Sequence, residues 1–298
     1  MAMFGFPHWQ LKSTSTESGV VAPDERLPFA QTAVMGVQHA VAMFGATVLM
    51  PILMGLDPNL SILMSGIGTL LFFFITGGRV PSYLGSSAAF VGVVIAATGF
   101  NGQAMMLIAP VAVILVAENL GHLKAVAGMT GRNMDPYMGR AFVGDGLATM
   151  LSGSVGGSGV TTYAENIGVM AVTKVYSTLV FVAAAVIAML LGFSPKFGAL
   201  IHTIPAAVIG GASIVVFGLI AVAGARIWVQ NSVDLSQNGN LIMVAVTLVL
   251  GAGDFALTLG GFTLGGIGTA TFGAILLNAL LSRRLVDVPP PEVVHQKP

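Results

Sequence analysis

The stretch SGSVGGSGVTTYAENIG, Ser152–Gly168, interrupts a chain that is otherwise almost continuously apolar, and its reading decides the fold. Gly and Ser at this density oppose a continuous helix, because glycine loses the most conformational freedom on ordering and serine competes for backbone hydrogen bonds. An apolar segment resumes just past it, so the pattern predicts an extended piece followed by a short helix. A similar stretch, YLGSSAAF, lies at Tyr83–Phe90. Non-helical backbone at membrane depth survives only where protein buries it or where it lines a cavity. Two interrupted segments of this kind, in corresponding places, are the mark of a transporter built from inverted repeats with its ligand held near the bilayer midplane. The competing reading is that small residues merely let helices pack closely in lipid.

Composition makes the bilayer the right solvent to reason in. Of 298 residues, 55% are hydrophobic and 8% charged, and the mean hydropathy is +0.90. A soluble domain carries roughly 25% charged residues. The expected fold class is therefore an all-α polytopic membrane protein. A span needs about 20 apolar residues, and candidates lie at 29–53, 60–76, 83–100, 104–123, 140–158, 161–174, 177–193, 205–227, 241–256 and 264–281. The third and sixth of these ten are the broken, short ones.

Net charge is zero, and no Lys/Arg cluster interleaves with aromatics, so nothing points to nucleic acid. With no cysteine, disulfides and thiolate metal sites are excluded. The first 26 residues are polar and lack a cleavage pattern, so the first apolar helix is expected to serve as its own insertion signal. Lys124, Arg132 and Arg140 after the fourth span, Arg79 between the second and third, and Arg283 with Arg284 after the last suggest cytoplasmic loops. Ten spans then place both termini in the cytoplasm. The expected organisation is a cytoplasmic tail 1–26, three spans over 27–103, seven over 104–281 and a cytoplasmic tail 282–298.

Few residues could carry chemistry. Glu118 and His122, in AENLGH, stand one helical turn apart. Glu118 lies about 14 residues into its span, roughly 21 Å along the axis. A charge that deep costs about 2.5 to 3.5 kcal/mol on insertion scales, which favours a functional reason over a plain interhelical hydrogen bond. Glu165 follows the Gly/Ser break, where a short helix would start with free N–H groups. Two acceptor carboxylates beside exposed amides suit a neutral ligand rich in N–H and C=O groups, although either could instead hold a cation. Gln38 and His39 in the first span could tie helices or touch ligand, and Asp145 and Asp254 read as structural groups. The Gly/Ser run lacks the Lys and Ser/Thr of a phosphate loop, and Glu118–His122 is not a zinc helix. No metal site and no enzyme chemistry are expected, since no nucleophile accompanies the Glu and His.

Glu165, Asn166, Gly168, Thr173 and Lys174, in ENIGVMAVTK, resemble the signature of the nucleobase-ascorbate transporter family. GVQHAVAMFGATVLMP, VPSYLGSSAAF, AENLGH and the TTY before the signature agree with it. Within the family the chain is most similar to the bacterial uracil permeases. The resemblance implies proton-coupled uptake of uracil, with thymine as the second candidate, across the bacterial inner membrane, with the proton as coupling ion, no other cofactor, and a homodimer as a possible assembly. It implies that Glu118 and Glu165 hydrogen-bond the pyrimidine, that His122 and Glu118 take part in proton coupling, and that Tyr163, Ala164, Ala88, Ala89 and Phe90 line the ligand. Ala88 stands where an aromatic is expected, and Phe90 is the nearest ring.

The family has fourteen spans in two inverted sevens. Here Phe100–Gln103 joins a segment like the third span directly to one like the eighth, so about four spans are missing and a three-plus-seven layout remains. That asymmetry carries a second expectation: a shortened member that binds nucleobase, or only dimerises, without efficient transport.

Overall fold

A computed structural model of the chain describes residues 8–12, 19–91, 94, 104–259 and 262–281. The junction Phe100–Gln103, the end of the third expected span and the C-terminal tail lie outside the described residues. The protein is helical, and among the described residues three helices are long and apolar enough to cross a membrane, with a fourth span if one bent pair counts as one.

Helix α1 (Phe29–Met54) ends where Gly55 adopts a left-handed conformation, φ 72°, and its N–H and that of Leu56 close back on Ile52 and Pro51. Asp57 then caps α2 (Pro58–Ile75) by accepting from Asn59 N–H at 2.8 Å, with Pro58 in the first turn, where its missing donor costs nothing. Helix α3 (Ala104–Thr130) carries AENLGH, and α4 (Met138–Ser154) follows a turn at Asp135–Tyr137. Helix α5 (Ala164–Thr173) is the short helix of the signature. Helices α6 (Thr178–Gly192) and α7 (Pro195–His202) form the bent pair, turned by 78° at a serine-proline break. Helix α8 (Ala206–Gln230) closes the first of two compact units, residues 1–231.

Several boundaries differ from expectation. Helix α3 runs to Thr130 rather than Leu123, so Lys124 is a helical residue paired with Asp135 at 2.6 Å and not part of a loop. Arg140 likewise lies in the first turn of α4. In the second unit, residues 232–298, α9 (Asn238–Ala252) stops four residues early. Asp254 takes φ 46° there and the chain enters a hairpin, β5 (Leu257–Leu259) with β6 (Phe262–Leu264), before α10 (Gly266–Leu281). Asp254 Oδ1 accepts from Gly266 N–H at 3.0 Å, which gives that carboxylate the structural, helix-end role its position suggested.

The class is also not purely helical. Besides the hairpin, β1 (Gln10–Leu11) pairs in parallel with β2 (Glu25–Arg26), and Val21 exchanges backbone hydrogen bonds with Lys174 and Tyr176 just past α5. The described part of the N-terminal tail is thus folded against the end of the signature helix. Alternation is too short in these pieces to be visible beside a dominant helical period.

Around the site, α2 packs between α1, α4 and α6. A Cβ on Gly66 would lie 2.6 Å from the Ala185 carbonyl, so α2 and α6 touch backbone to backbone. Close approach through small residues replaces the hydrophobic driving force that helices lack in lipid. Met43, Phe72, Tyr83, Leu84, Ala141 and Ala184 fill the interior beneath the two broken segments.

A crossed ribbon with two helix starts

The Gly/Ser stretches become the two strands of one antiparallel ribbon, β3 (Leu84–Ser86) and β4 (Val160–Thr162). Leu84 stands opposite Thr162, Gly85 opposite Thr161 and Ser86 opposite Val160. A short 3-10 turn, Ala88–Phe90, leaves one strand, and α5 leaves the other. Because the strands run in opposite directions, these helical pieces depart from opposite ends, each starting beside the ribbon.

A two-stranded ribbon exposes two outer edges, which in lipid would each cost several kcal/mol per unpaired group. Threonine satisfies both edges in the same way. Thr69 on α2 accepts from Leu84 N–H at 2.9 Å, and Thr149 on α4 accepts from Val160 N–H at 3.1 Å while donating to the Val160 carbonyl at 2.7 Å. Leu84 and Val160 are the first residues of their strands, so one device serves both halves. Ser86 and Ser158 add a hydroxyl pair at 2.6 Å between the strands.

Glycine is required where the ribbon is thinnest. A Cβ on Gly85 would lie 2.7 Å from the Tyr163 ring and 2.8 Å from Thr47 Oγ1, and one on Gly159 would lie 2.2 Å from the Phe90 ring. Phe90 therefore covers β4 and is buried there. The Tyr163 hydroxyl is committed to the protein, since it accepts from Thr47 and donates to the Ser86 carbonyl, both at 3.2 Å. Its contact to a ligand would come from the ring and backbone.

Helix α3 packs against β4 and the Ala88–Phe90 turn, and Glu118 and His122 divide between the two broken segments. Ser87 Oγ donates to Glu118 Oε2 at 3.1 Å while accepting from Ala89 N–H at 3.2 Å. One turn on, His122 Nδ1 meets Thr162 Oγ1 at 2.9 Å. Glu165 sits in the first turn of α5, within electrostatic range of Glu118, and its Oε1 is buried without a hydrogen-bond partner among the described residues. Two acceptors and the amides of two helix starts are thereby gathered in one place, with Ala88, Ala89 and Ala164 at the half-buried positions between them.

The remaining signature residues serve elsewhere. Asn166 is buried and its amide reaches His39 Nδ1 at 2.9 Å and the His39 carbonyl at 3.1 Å, tying α5 to α1, while His39 packs on Phe181. Gln38, which could have tied helices or touched ligand, is on the exposed side of α1, because consecutive helical residues face about 100° apart. Gly168 has open space around it. Thr173 and Lys174 form the C-terminal end of α5, where Thr173 Oγ1 bonds the Val169 carbonyl and Lys174 takes φ 57°.

Sequence reasoning passed over Asn119, Thr161, Ser87, Thr69 and Thr149. Asn119 and Thr161 both donate to Asp145 Oδ2, the latter at 3.0 Å, and all three are buried. The one available signal was Asn119 inside AENLGH, a third polar residue beside the pair that drew attention.

Comparison with known proteins bears on the family of the chain. The model of the Permease family matches residues 30–103 and 96–260, two matches that meet at the expected junction. The "Putative pyrimidine permease RutG" of Escherichia coli K12 is 67% identical over 442 aligned positions, covering 100% of both chains. Uracil permeases of Paenibacillus larvae and Escherichia coli K12 are 30% and 27% identical, covering 87% and 92% of this chain and 96% of their own. With 298 residues against 442 aligned positions, at least 144 positions face no residue of this chain.

Proposed function

The chain belongs to the Permease family, and from that premise we propose that it binds a pyrimidine nucleobase, uracil first and thymine second, and carries it across a bacterial inner membrane. The observation that carries this reading is the buried, unpartnered Oε1 of Glu165 in the first turn of a broken helix. A buried acceptor left without a donor costs about 1 to 3 kcal/mol, more if charged, and a ring N–H would relieve that cost. Glu118, supplied with one donor by Ser87, offers the second acceptor. The amides of Ala88 and Ala164 are the donors for the ring carbonyls, since Ala89 and Phe90 N–H already bond Ser87, and an anion would be repelled by both carboxylates.

His122 and Glu118, one turn apart, are the groups proposed to exchange the coupling proton, so the transported species would be the neutral base together with H⁺. The matching use of Thr69 and Thr149 at the first residue of each strand supports an inverted-repeat layout; the Lys/Arg placement in the sequence is what supports cytoplasmic termini. Binding and movement of a ligand, without covalent chemistry, is all these groups need to perform.

The test is uptake of radiolabelled uracil into cells, with and without an uncoupler, beside a binding measurement on the purified protein. Uncoupler-sensitive uptake is expected. Binding without flux would select the shortened, transport-deficient alternative, and absence of binding would overturn the proposal.

A further inference from the structure

The buried polar groups behind the site form a chain whose direction can be worked out. Asn119 Nδ2 lies against Asp145 Oδ2, an oxygen that also accepts from Thr161 Oγ1 at 3.0 Å. Oδ2 already takes the Thr161 proton, and an ionised carboxylate oxygen can only accept, so with Asp145 ionised the amide of Asn119 presents its N–H₂ there. Its carbonyl Oδ1 then faces Thr162 Oγ1, at 3.4 Å, and can only accept in turn. Thr162 has one hydroxyl proton, which this bond uses. The contact between Thr162 Oγ1 and His122 Nδ1, at 2.9 Å, must therefore be donated by the histidine. Nδ1 carries a proton, and in the neutral ring the lone pair lies on Nε2. Among the described residues, nothing hydrogen-bonds to Nε2.

We infer that Thr162 and Asn119 are positioning residues for the ligand site: the one-way chain from His122 through Thr162 and Asn119 to Asp145 locks His122 with Nδ1 protonated and leaves Nε2 as the acceptor. All four residues are buried, so water does not compete for these bonds. Two consequences follow. Whatever proton His122 gains or loses is the one on Nε2, because Nδ1–H is held in both states. The strand β4 also becomes a reporter of the ring's orientation, since Thr162 is its last residue and Tyr163 and Ala164 open the half-helix that bears Glu165.

This rests on the proposed nucleobase site, but its first test needs no ligand. Side-chain ¹⁵N spectra of histidine-labelled protein, with the His122 signals assigned by their loss in His122→Asn, report the tautomer directly. A protonated Nδ1 and bare Nε2 are expected. An Nε2–H tautomer, or a mixture, would overturn the inference whatever uracil does. The second test compares Thr162→Val with Thr162→Ser. Valine is expected to give a tautomer mixture and to weaken uracil binding roughly three- to tenfold, the worth of one net hydrogen bond. Serine keeps the hydroxyl and should stay within about twofold. Unchanged binding in Thr162→Val, or equal losses in both variants, would sink the positioning role. If Thr162→Val fails to fold, the wild-type tautomer and Thr162→Ser still decide. If the tautomer is as expected but no variant and no wild-type sample binds uracil, the proposed function fails and the hydrogen-bond chain stands.

Discussion

Ser87 Oγ donates to Glu118 Oε2 across 3.1 Å, and this bond is the direct link between the first broken segment and the deepest carboxylate of α3. It joins residues 31 positions apart in sequence. Hydrogen bonds to a charged group are worth about 1.5 to 3 kcal/mol. Ser87→Ala leaves Glu118 without that donor and Ala89 N–H without its cap, and uracil binding measured by calorimetry is expected to weaken tenfold or more. Ser87→Thr keeps the hydroxyl and should bind within a few fold of wild type. Equal affinity in wild type and Ser87→Ala would show that Glu118 needs no help to face the ligand.

Glu165→Gln replaces the buried, unpartnered acceptor with an amide of the same shape. One acceptor oxygen remains, but the other becomes an N–H₂ that would oppose a ring N–H. Binding should fall below detection while membrane insertion and the melting transition stay intact. A retained affinity would remove Glu165 from the site.

The two ribbon-edge threonines can be tested by stability alone. Thr69→Val and Thr149→Val each strand a buried backbone N–H, at a cost of about 1 to 3 kcal/mol. Both should lower the unfolding temperature in detergent, followed by tryptophan fluorescence, and Thr→Ser at either position should restore most of it. Indifference at one edge would mean that the two halves do not share the device.

Glycines give a contrast within one motif. Gly85→Ala drives a methyl to within 2.7 Å of the Tyr163 ring, and overpacking of this kind costs about 1 to 3 kcal/mol. Gly168→Ala adds the same methyl to open space on α5 and should be neutral or slightly stabilising, as expected for Ala over Gly in a helix. The same melting measurement separates them.

Asp24 ties the N-terminal segment to the end of α3 through Arg132 at 2.6 Å. Burial pushes its carboxyl up, but the Arg132 hydrogen bond, its own backbone and the charges of Arg132 and Arg79 outweigh this and hold it below the ordinary 3.8. A depressed folded value means that the tie is fully present above the unfolded value and is lost as pH falls through the folded one. Since both side chains are 40% or more exposed, the pair is screened and worth about 0.2 to 1 kcal/mol at most. Hydrogen exchange of Val21 N–H, which bonds the Lys174 carbonyl at 3.0 Å, should be constant from pH 7 down to about pH 4 after correction for intrinsic rates, and lose protection below. Asp24→Asn should abolish that step.

The helical class and the two broken segments were legible because each is a local property of hydrophobic periodicity and its interruptions. The lengths of α3 and α9 were not, since Lys124 can remain helical by pairing with Asp135, and Asp254 ends α9 through its own φ of 46°. Pairing is a different kind of fact. Leu84 and Thr162 lie far apart in sequence, and no local pattern says which extended pieces meet or in what register.

From sequence alone came the polar residues that a bilayer would not tolerate without a reason: Glu118, His122 and Glu165 stand out against an apolar background because burying them is costly. Which atoms face which partner was decided only by tertiary structure. Ser87 reaches Glu118, Thr162 reaches His122, and Asn119 orders that contact through Asp145, because crossing two strands beneath α3 brings donors and acceptors within 3.5 Å and leaves each proton one place to go.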